Sequence, residues 1–196
     1  MFDPIEFGRE FFEKLTVVDA TIAARVAASA CSRCGGPLHV GNYLRKPRGG
    51  LLAAAGEEFA LRFSLCCGRE GCRRRTTPPS VRFLGRRVYL GAVVIFASAI
   101  AMAVVMGSAG RRVTGVPPRT LRRWARWWRG SFPETAVFAS LSARLVPAVS
   151  RERLPASLLE RMPGALATQV GRMLTWLAPL TTASTPDGAG FVRDLT

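Results

Sequence analysis

Five cysteines stand in two groups, Cys31 and Cys34 in CSRCGG and Cys66, Cys67 and Cys72 in CCGREGC. Two thiolates separated by two residues and followed by glycines make half of a tetrahedral zinc shell, and the second group can supply the other half. The strand-like run EFALRFSLCC bears on which sulfurs take part. Its period of two puts Phe59, Leu61, Phe63, Leu65 and Cys67 on one face, with Arg62, Ser64 and Cys66 on the other. The expected ligands are Cys31, Cys34, Cys67 and Cys72, unless a bulge at the second knuckle exchanges Cys67 for Cys66 or His39, the single histidine, replaces one sulfur. Four thiolates close the shell and leave no position for a water, so the expected ion is a structural Zn2+ and not a catalytic one.

An odd cysteine count without an export signal argues against a disulfide framework. MFDPIEFGREFFEKL carries acidic residues where a signal peptide has a basic start and an apolar core, so the expected location is cytoplasmic.

Charge supplies the second signal. Lys plus Arg number 28 against 13 Asp plus Glu, a formal +15, and Lys14 and Lys46 are the only lysines. Such a field attracts nucleic acid or an anionic membrane surface, and the guanidinium fork suits phosphate or guanine. A GC-rich genome would enrich arginine as well, so placement has to discriminate. CRRRTTPPS puts Arg73, Arg74 and Arg75 directly behind the last cysteine, where they would contact phosphate. In GVPPRTLRRWARWWRGSF a glycine turn and two prolines precede a helical pattern. At about 100° per residue, Leu121, Trp124, Ala125 and Trp128 share one face, and Arg119, Arg122, Arg123, Arg126 and Arg129 gather opposite. That is a helix able to pack on one side and enter a DNA major groove with the other, Thr120 lying close to the backbone or a base.

The elements that must hold these groups point to a mainly α fold with a small β zinc ribbon and a helix-turn-helix core followed by further helices. The expected divisions are an N-terminal amphipathic helix (1–30), the ribbon (31–83), the helix-turn-helix (84–132), C-terminal helices (133–180) and a mobile tail (181–196). In the first, Phe11, Leu15, Val18, Ile22 and Val26 recur at helical spacing, a packing or dimerisation face. In the fourth, PETAVFASLSARLV, PASLLERM and PGALATQVGRMLTWLAPL each open at a proline. Residues 88–110 contain no charge over a length that could span a bilayer. Their Ala, Gly and Ser content gives little insertion energy, and Arg86, Arg87, Arg111 and Arg112 flank both ends without asymmetry. A helix buried on all sides in a helical domain is the preferred reading; a small membrane protein with basic flanks on anionic headgroups is the alternative.

Together, CSRCGG, CCGREGC, CRRRTTPPS and GVPPRTLRRW resemble the zinc-ribbon plus helix-turn-helix module at the front of bacterial insertion-sequence transposases and of their small helper proteins. The resemblance covers residues 31 to about 130. Gly115, Val116, Leu121 and Trp124 match the turn glycine and the apolar anchors of its second helix. Arg111 stands where a small residue is usual, and four residues separate Cys67 from Cys72, more than such knuckles carry. The resemblance implies duplex DNA as partner, a separate transposase or recombinase as a second, and a homodimer as a possible assembly. The cutting chemistry is not expected. Glu134, Glu152, Glu160, Asp187 and Asp194 are the acidic residues after 130, and the stretch is too short for a two-metal catalytic domain. RNA binding would need exposed aromatics, for which Trp127 is the candidate. The expectation is a non-enzymatic DNA-binding protein.

Overall fold

The N-terminal periodicity produces a 20-residue helix, α1 (Arg9–Ala28), in a computed structural model that describes residues 7–48, 55–84, 89–103 and 115–182. The buried line of α1 is Phe12, Leu15, Asp19, Ile22 and Val26, so Phe12 and Asp19 hold places expected for Phe11 and Val18, which lie half-buried at the margin. The stripe therefore includes one carboxylate. Phe12 meets Phe59, and Phe7, just before the helix, meets Phe96 of the helical half.

The cysteine-containing region forms short antiparallel strands. β1 (Leu38–Val40), β4 (Leu65–Cys67) and β5 (Arg75–Thr76) make one sheet in the order β1-β4-β5, with Leu38 opposite Cys67 and Leu65 opposite Thr76. β2 (Tyr43–Leu44) pairs with β3 (Leu61–Arg62) in a separate ladder. The expected continuous alternation through 59–67 does not hold. The chain changes sheets at Phe63 and Ser64, and Arg62 and Ser64 turn inward while Phe63 stays half-exposed. Arg62 does so because its guanidinium finds the Pro78 carbonyl and the Phe83 ring inside.

The remaining helices surround α2 (Gly91–Ala103). Against it pack α3 (Pro118–Arg126), α5 (Ala156–Leu159) and α6 (Leu166–Leu177); α4 (Ala136–Ser142) also rests on α6. Ala92, Val93, Val94, Ile95, Ala97, Ser98 and Ile100 of α2 are all buried. Phe96, Ala99 and Ala101 are half-buried, so protein covers most of this apolar helix, and among the described residues no helix is long and apolar enough to cross a membrane. The three C-terminal helical segments expected around 133–180 are present, shorter than their patterns. Thr135 caps α4 by accepting the Phe138 N–H at 3.2 Å.

The first residues assigned to a mobile tail are fastened instead. Thr181 is buried and accepts the Ser80 N–H at 2.9 Å, and the Thr182 hydroxyl donates to the Thr77 carbonyl at 2.7 Å. Residues 183–196 lie outside the described part, as do 104–114, which hold Arg111, Arg112 and the first helix of the expected helix-turn-helix.

One buried ion pair ties these layers together. Arg82 and Asp19 side chains have no solvent exposure and meet at 2.8 Å. Asp19 also accepts from the Ser80 hydroxyl (2.7 Å) and the Val81 N–H (2.6 Å), while Arg82 donates to the carbonyls of Phe59 and Leu61, both at 2.9 Å. Removing one partner strands the other in a dry interior. Asp19→Ala and Arg82→Ala are each expected to lower the unfolding free energy by about 3–5 kcal/mol. In denaturant titrations the double variant loses clearly less than the sum of the two; additive losses would show the pair to be uncoupled.

Candidate metal centre and candidate nucleic-acid interface

Two turns bring four sulfurs together. In the first, the Cys34 and Gly35 N–H groups donate to the Cys31 carbonyl (3.2 and 2.8 Å), and the Cys31 N–H donates to Gly36 (2.9 Å). In the second, the Cys72 N–H donates to the Arg69 carbonyl at 3.1 Å, and Cys67 is held in β4. The ladder sets the distance between the turns, because Cys67 stands opposite Leu38, four residues past Cys34. The sulfurs of Cys31, Cys34, Cys67 and Cys72 all lie within 4.8 Å of one another. Cys34 and Cys67 are 3.4 Å apart and Cys31 and Cys72 4.0 Å. These bracket about 3.8 Å, the edge of a tetrahedron whose centre lies about 2.3 Å from each sulfur, the usual zinc–sulfur length.

The surroundings are those of thiolate ligands. Backbone N–H groups two residues ahead point at the sulfurs: Arg33 at Cys31, Gly36 at Cys34 and Arg69 at Cys67. The Gly36 N–H, with the neighbouring sulfurs, holds the Cys34 thiol down to about 6 against the opposing effect of burial, and the Arg33 N–H lowers Cys31. At Cys67 the Arg69 N–H pulls the same way, but burial and the three neighbouring sulfurs outweigh it and push the thiol up to about 12. Gly36 is closely packed: a Cβ there would sit 3.1 Å from the Cys67 sulfur and 3.0 Å from the Arg69 Cβ, so a side chain would need its neighbours to give by a few tenths of an ångström. Arg69 closes the site from outside, donating to the Cys34 carbonyl at 2.7 Å. The glycine pair after Cys34 is part of the sequence signal, whereas nothing in the sequence marks Arg69 as a cover for the site.

The other candidates fall elsewhere. Cys66 points away and contacts the Arg73 carbonyl at 3.4 Å. His39 stands opposite Cys66 in the ladder, with its ring over Gly68 and outside the sulfur cluster.

The basic helix is positioned by its aromatic side. Gly115 takes φ of +62°, a left-handed turn residue, and buried Val116 follows it. Pro117 and Pro118 start α3. Trp124 and Trp128 are at most 1 % exposed, Trp124 edge-on to Tyr89 at 5.1 Å and Trp128 against Phe132 at 5.0 Å. The helical rod continues past Arg126 as a π turn, Trp127–Ser131. Arg119, Arg122, Arg123, Arg126 and Arg129 are all exposed, and Leu121 and Ala125 are half-buried at the margins. Among the described residues no carboxylate lies within ion-pair reach of these five arginines. A recess of about 380 Å³ is lined by Arg119, Thr120, Arg122, Arg123 and Arg126. Trp127 packs on Trp128 and Phe132 at 4.7 and 5.3 Å and so belongs to the aromatic row.

Behind the second knuckle, Arg73 and Arg74 are exposed, but Arg75 is engaged within the sheet. It donates to the Gly41 carbonyl (2.9 Å) and the Ser64 hydroxyl (3.1 Å) and lies over the Tyr43 ring. No protein-family model, curated protein or solved structure matches the chain.

The geometry separates neighbouring cysteines. Cys67→Ser is expected to abolish stoichiometric retention of zinc in metal analysis of the purified protein, whereas Cys66→Ser retains it. Proton competition adds a pH signature. Burial and the neighbouring sulfurs hold the Cys67 thiol up while the Gly36 N–H holds Cys34 down, so zinc binding must expel protons from the cluster, the Cys67 proton among them. Apparent zinc affinity should rise with pH and fall more steeply below about 6, where Cys34 takes up its proton too; a flat profile in competition titrations would remove the four-thiolate assignment.

Proposed function

We propose that the chain is a zinc-stabilised, non-enzymatic protein that binds duplex DNA through α3, as an accessory factor of a mobile genetic element. The observation carrying this reading is the alignment of Arg119, Arg122, Arg123, Arg126 and Arg129 on the exposed side of one helix whose opposite side is locked by Trp124 and Trp128. From Arg119 to Arg129 the helix rises roughly 15 Å, enough to lay a row of guanidinium forks along a major groove about 12 Å wide. Fixed tryptophans mean that the arginines need not pay for orienting the helix when a phosphate or guanine arrives. Thr120, half-buried at the margin of the row and lining the same recess, can donate to a phosphate or base. Arg73 and Arg74 offer two further cations on the cysteine module for backbone contacts.

Zinc, when held by Cys31, Cys34, Cys67 and Cys72, supplies folding energy to strands of two or three residues that bury too little to persist alone. The assignment to a mobile element rests on the combination of a four-cysteine knuckle and a basic helix behind a glycine turn, the features that the sequence shares with insertion-sequence modules. A separate recombinase is then the natural source of the cutting chemistry, and the cytoplasm the compartment.

A duplex held this way must release counterions. In filter-binding or anisotropy titrations, log Kd against log salt should be steep, about 0.9 per neutralised phosphate. The pair Arg122→Ala with Arg126→Ala should reduce the slope by about two and weaken binding. A slope near zero, or one unchanged in the double variant, would rule out α3 as the DNA-contacting element.

A further inference from the structure

The exposed side of α3 carries two ridges of different make-up. At about 100° per residue, Arg122, Arg126 and Arg129 follow one another along the first, and Arg119 and Arg123 share the second. The recess of about 380 Å³ runs between them, with Arg122 and Arg126 on one side and Arg119, Arg123 and Thr120 on the other. The first ridge ends in Arg129, whose Nε donates back to the Ala125 carbonyl at 3.4 Å and so lies along the flank of the helix. The second ridge gains a hydroxyl from Thr120 and runs on into Trp127, which packs on Trp128 and Phe132.

The donors on these ridges limit which base they can read. In the major groove guanine offers two acceptors, adenine an acceptor and a donor, cytosine a donor, and thymine an acceptor beside a methyl group. An arginine fork matches guanine; adenine calls for Asn or Gln and cytosine for a carboxylate, and residues 118–131 contain none of these. A helix that enters the major groove sets its N-terminal residues against the base edges. On α3 that end of the second ridge is Arg119 and Arg123, separated along the axis by about 6 Å, close to two base steps of about 3.4 Å. The first ridge continues to Arg129 over roughly 10 Å and suits the phosphates of one strand. We infer that Arg119 and Arg123 read the O6 and N7 edges of guanines two steps apart, while Arg122 and Arg126 hold phosphates. This rests on the duplex-binding reading of α3 and adds a base preference to it.

The test titrates the zinc-loaded full chain by anisotropy against three duplexes of equal length at one salt concentration. The first is alternating A·T, and the second carries two guanines two steps apart at its centre. The third replaces those guanines by 7-deazaguanine, which keeps pairing and charge but lacks N7. The guanine duplex should bind about tenfold tighter than the A·T duplex, equivalent to about 1.4 kcal/mol, and the 7-deaza duplex should lose most of that gain. Arg119→Gln with Arg123→Gln should erase the preference. Arg122→Gln with Arg126→Gln removes the same charge and should weaken all three duplexes alike, keeping the ratio. These four side chains are exposed, so zinc content and melting temperature should stay unchanged in both variants. The inference is overturned if 7-deazaguanine binds as tightly as guanine, if the A·T and guanine duplexes bind alike, or if both double variants change the ratio equally. Equal binding with a steep salt response removes the base preference and leaves α3 as the DNA-contacting element; no binding to any duplex removes both.

Discussion

The Asp19–Arg82 pair is the constraint from which the rest of the arrangement follows. Two charges without solvent exposure are tolerable only if every polar atom around them is matched, because stranding either ion costs several kcal/mol. That requirement fixes the backbone of Phe59, Leu61, Ser80 and Val81 relative to α1, since their carbonyls, hydroxyl and amide complete the two ions. Ser80 then passes the constraint to the C-terminal end through Thr181, and the Arg82 carbonyl accepts the Gly91 N–H at 2.8 Å where α2 begins. The cysteine module, the first helix and the helical half are thereby held in register by polar groups that have one satisfactory arrangement.

Phe83 extends this centre. The guanidinium groups of Arg45, Arg62 and Arg82 lie 5.1, 5.9 and 5.4 Å from its ring centroid. Arg62 and Arg82 are both buried with one carboxylate, Asp19, paired to Arg82, so the second cation is carried by the aromatic face and backbone carbonyls. A parallel bridge between Arg48 and Tyr89 and the edge contact of Tyr89 with Trp124 give the cysteine module a second line of contact to α3. The four-sulfur centre and the arginine row therefore share a scaffold, although no single side chain belongs to both.

What could be read beforehand follows from the range of each signal. The paired cysteines and the Trp and Arg faces of α3 are local patterns, set by turn geometry and by the helical period, and their residue spacings carry through to the folded chain. The phase of α1 was less accessible: Asp19 sits in the apolar stripe and looks like a solvent-facing acid until Arg82, distant in sequence, is seen beside it. Arg62 and Ser64 broke the alternation for the same reason, since Pro78 and Phe83 draw Arg62 inward from another segment. A charge-free run such as 88–110 has one composition for two environments, and the packing of α3, α5 and α6 against Gly91–Ala103 is long-range information that composition does not carry; residues 104–110 lie outside the described part. Thr181 had no sequence mark of its tie to Ser80.

The way α3 is fixed explains how a strongly basic helix coexists with a stable core. Among the described residues the indole nitrogens of Trp124 and Trp128 and the Ser98 hydroxyl, all buried, lack hydrogen-bond partners. Each orphan costs about 1–3 kcal/mol. A tryptophan that buries about 150–250 Å² gains roughly 4–6 kcal/mol at about 25 cal/mol per Å². Apolar contact therefore exceeds the loss at each indole, and α3 is seated by shape and not by directional bonds. Two indoles one turn apart suffice to set the rotation of the helix about its axis. With that rotation set, the five arginines face solvent, and among the described residues none of them has a carboxylate partner.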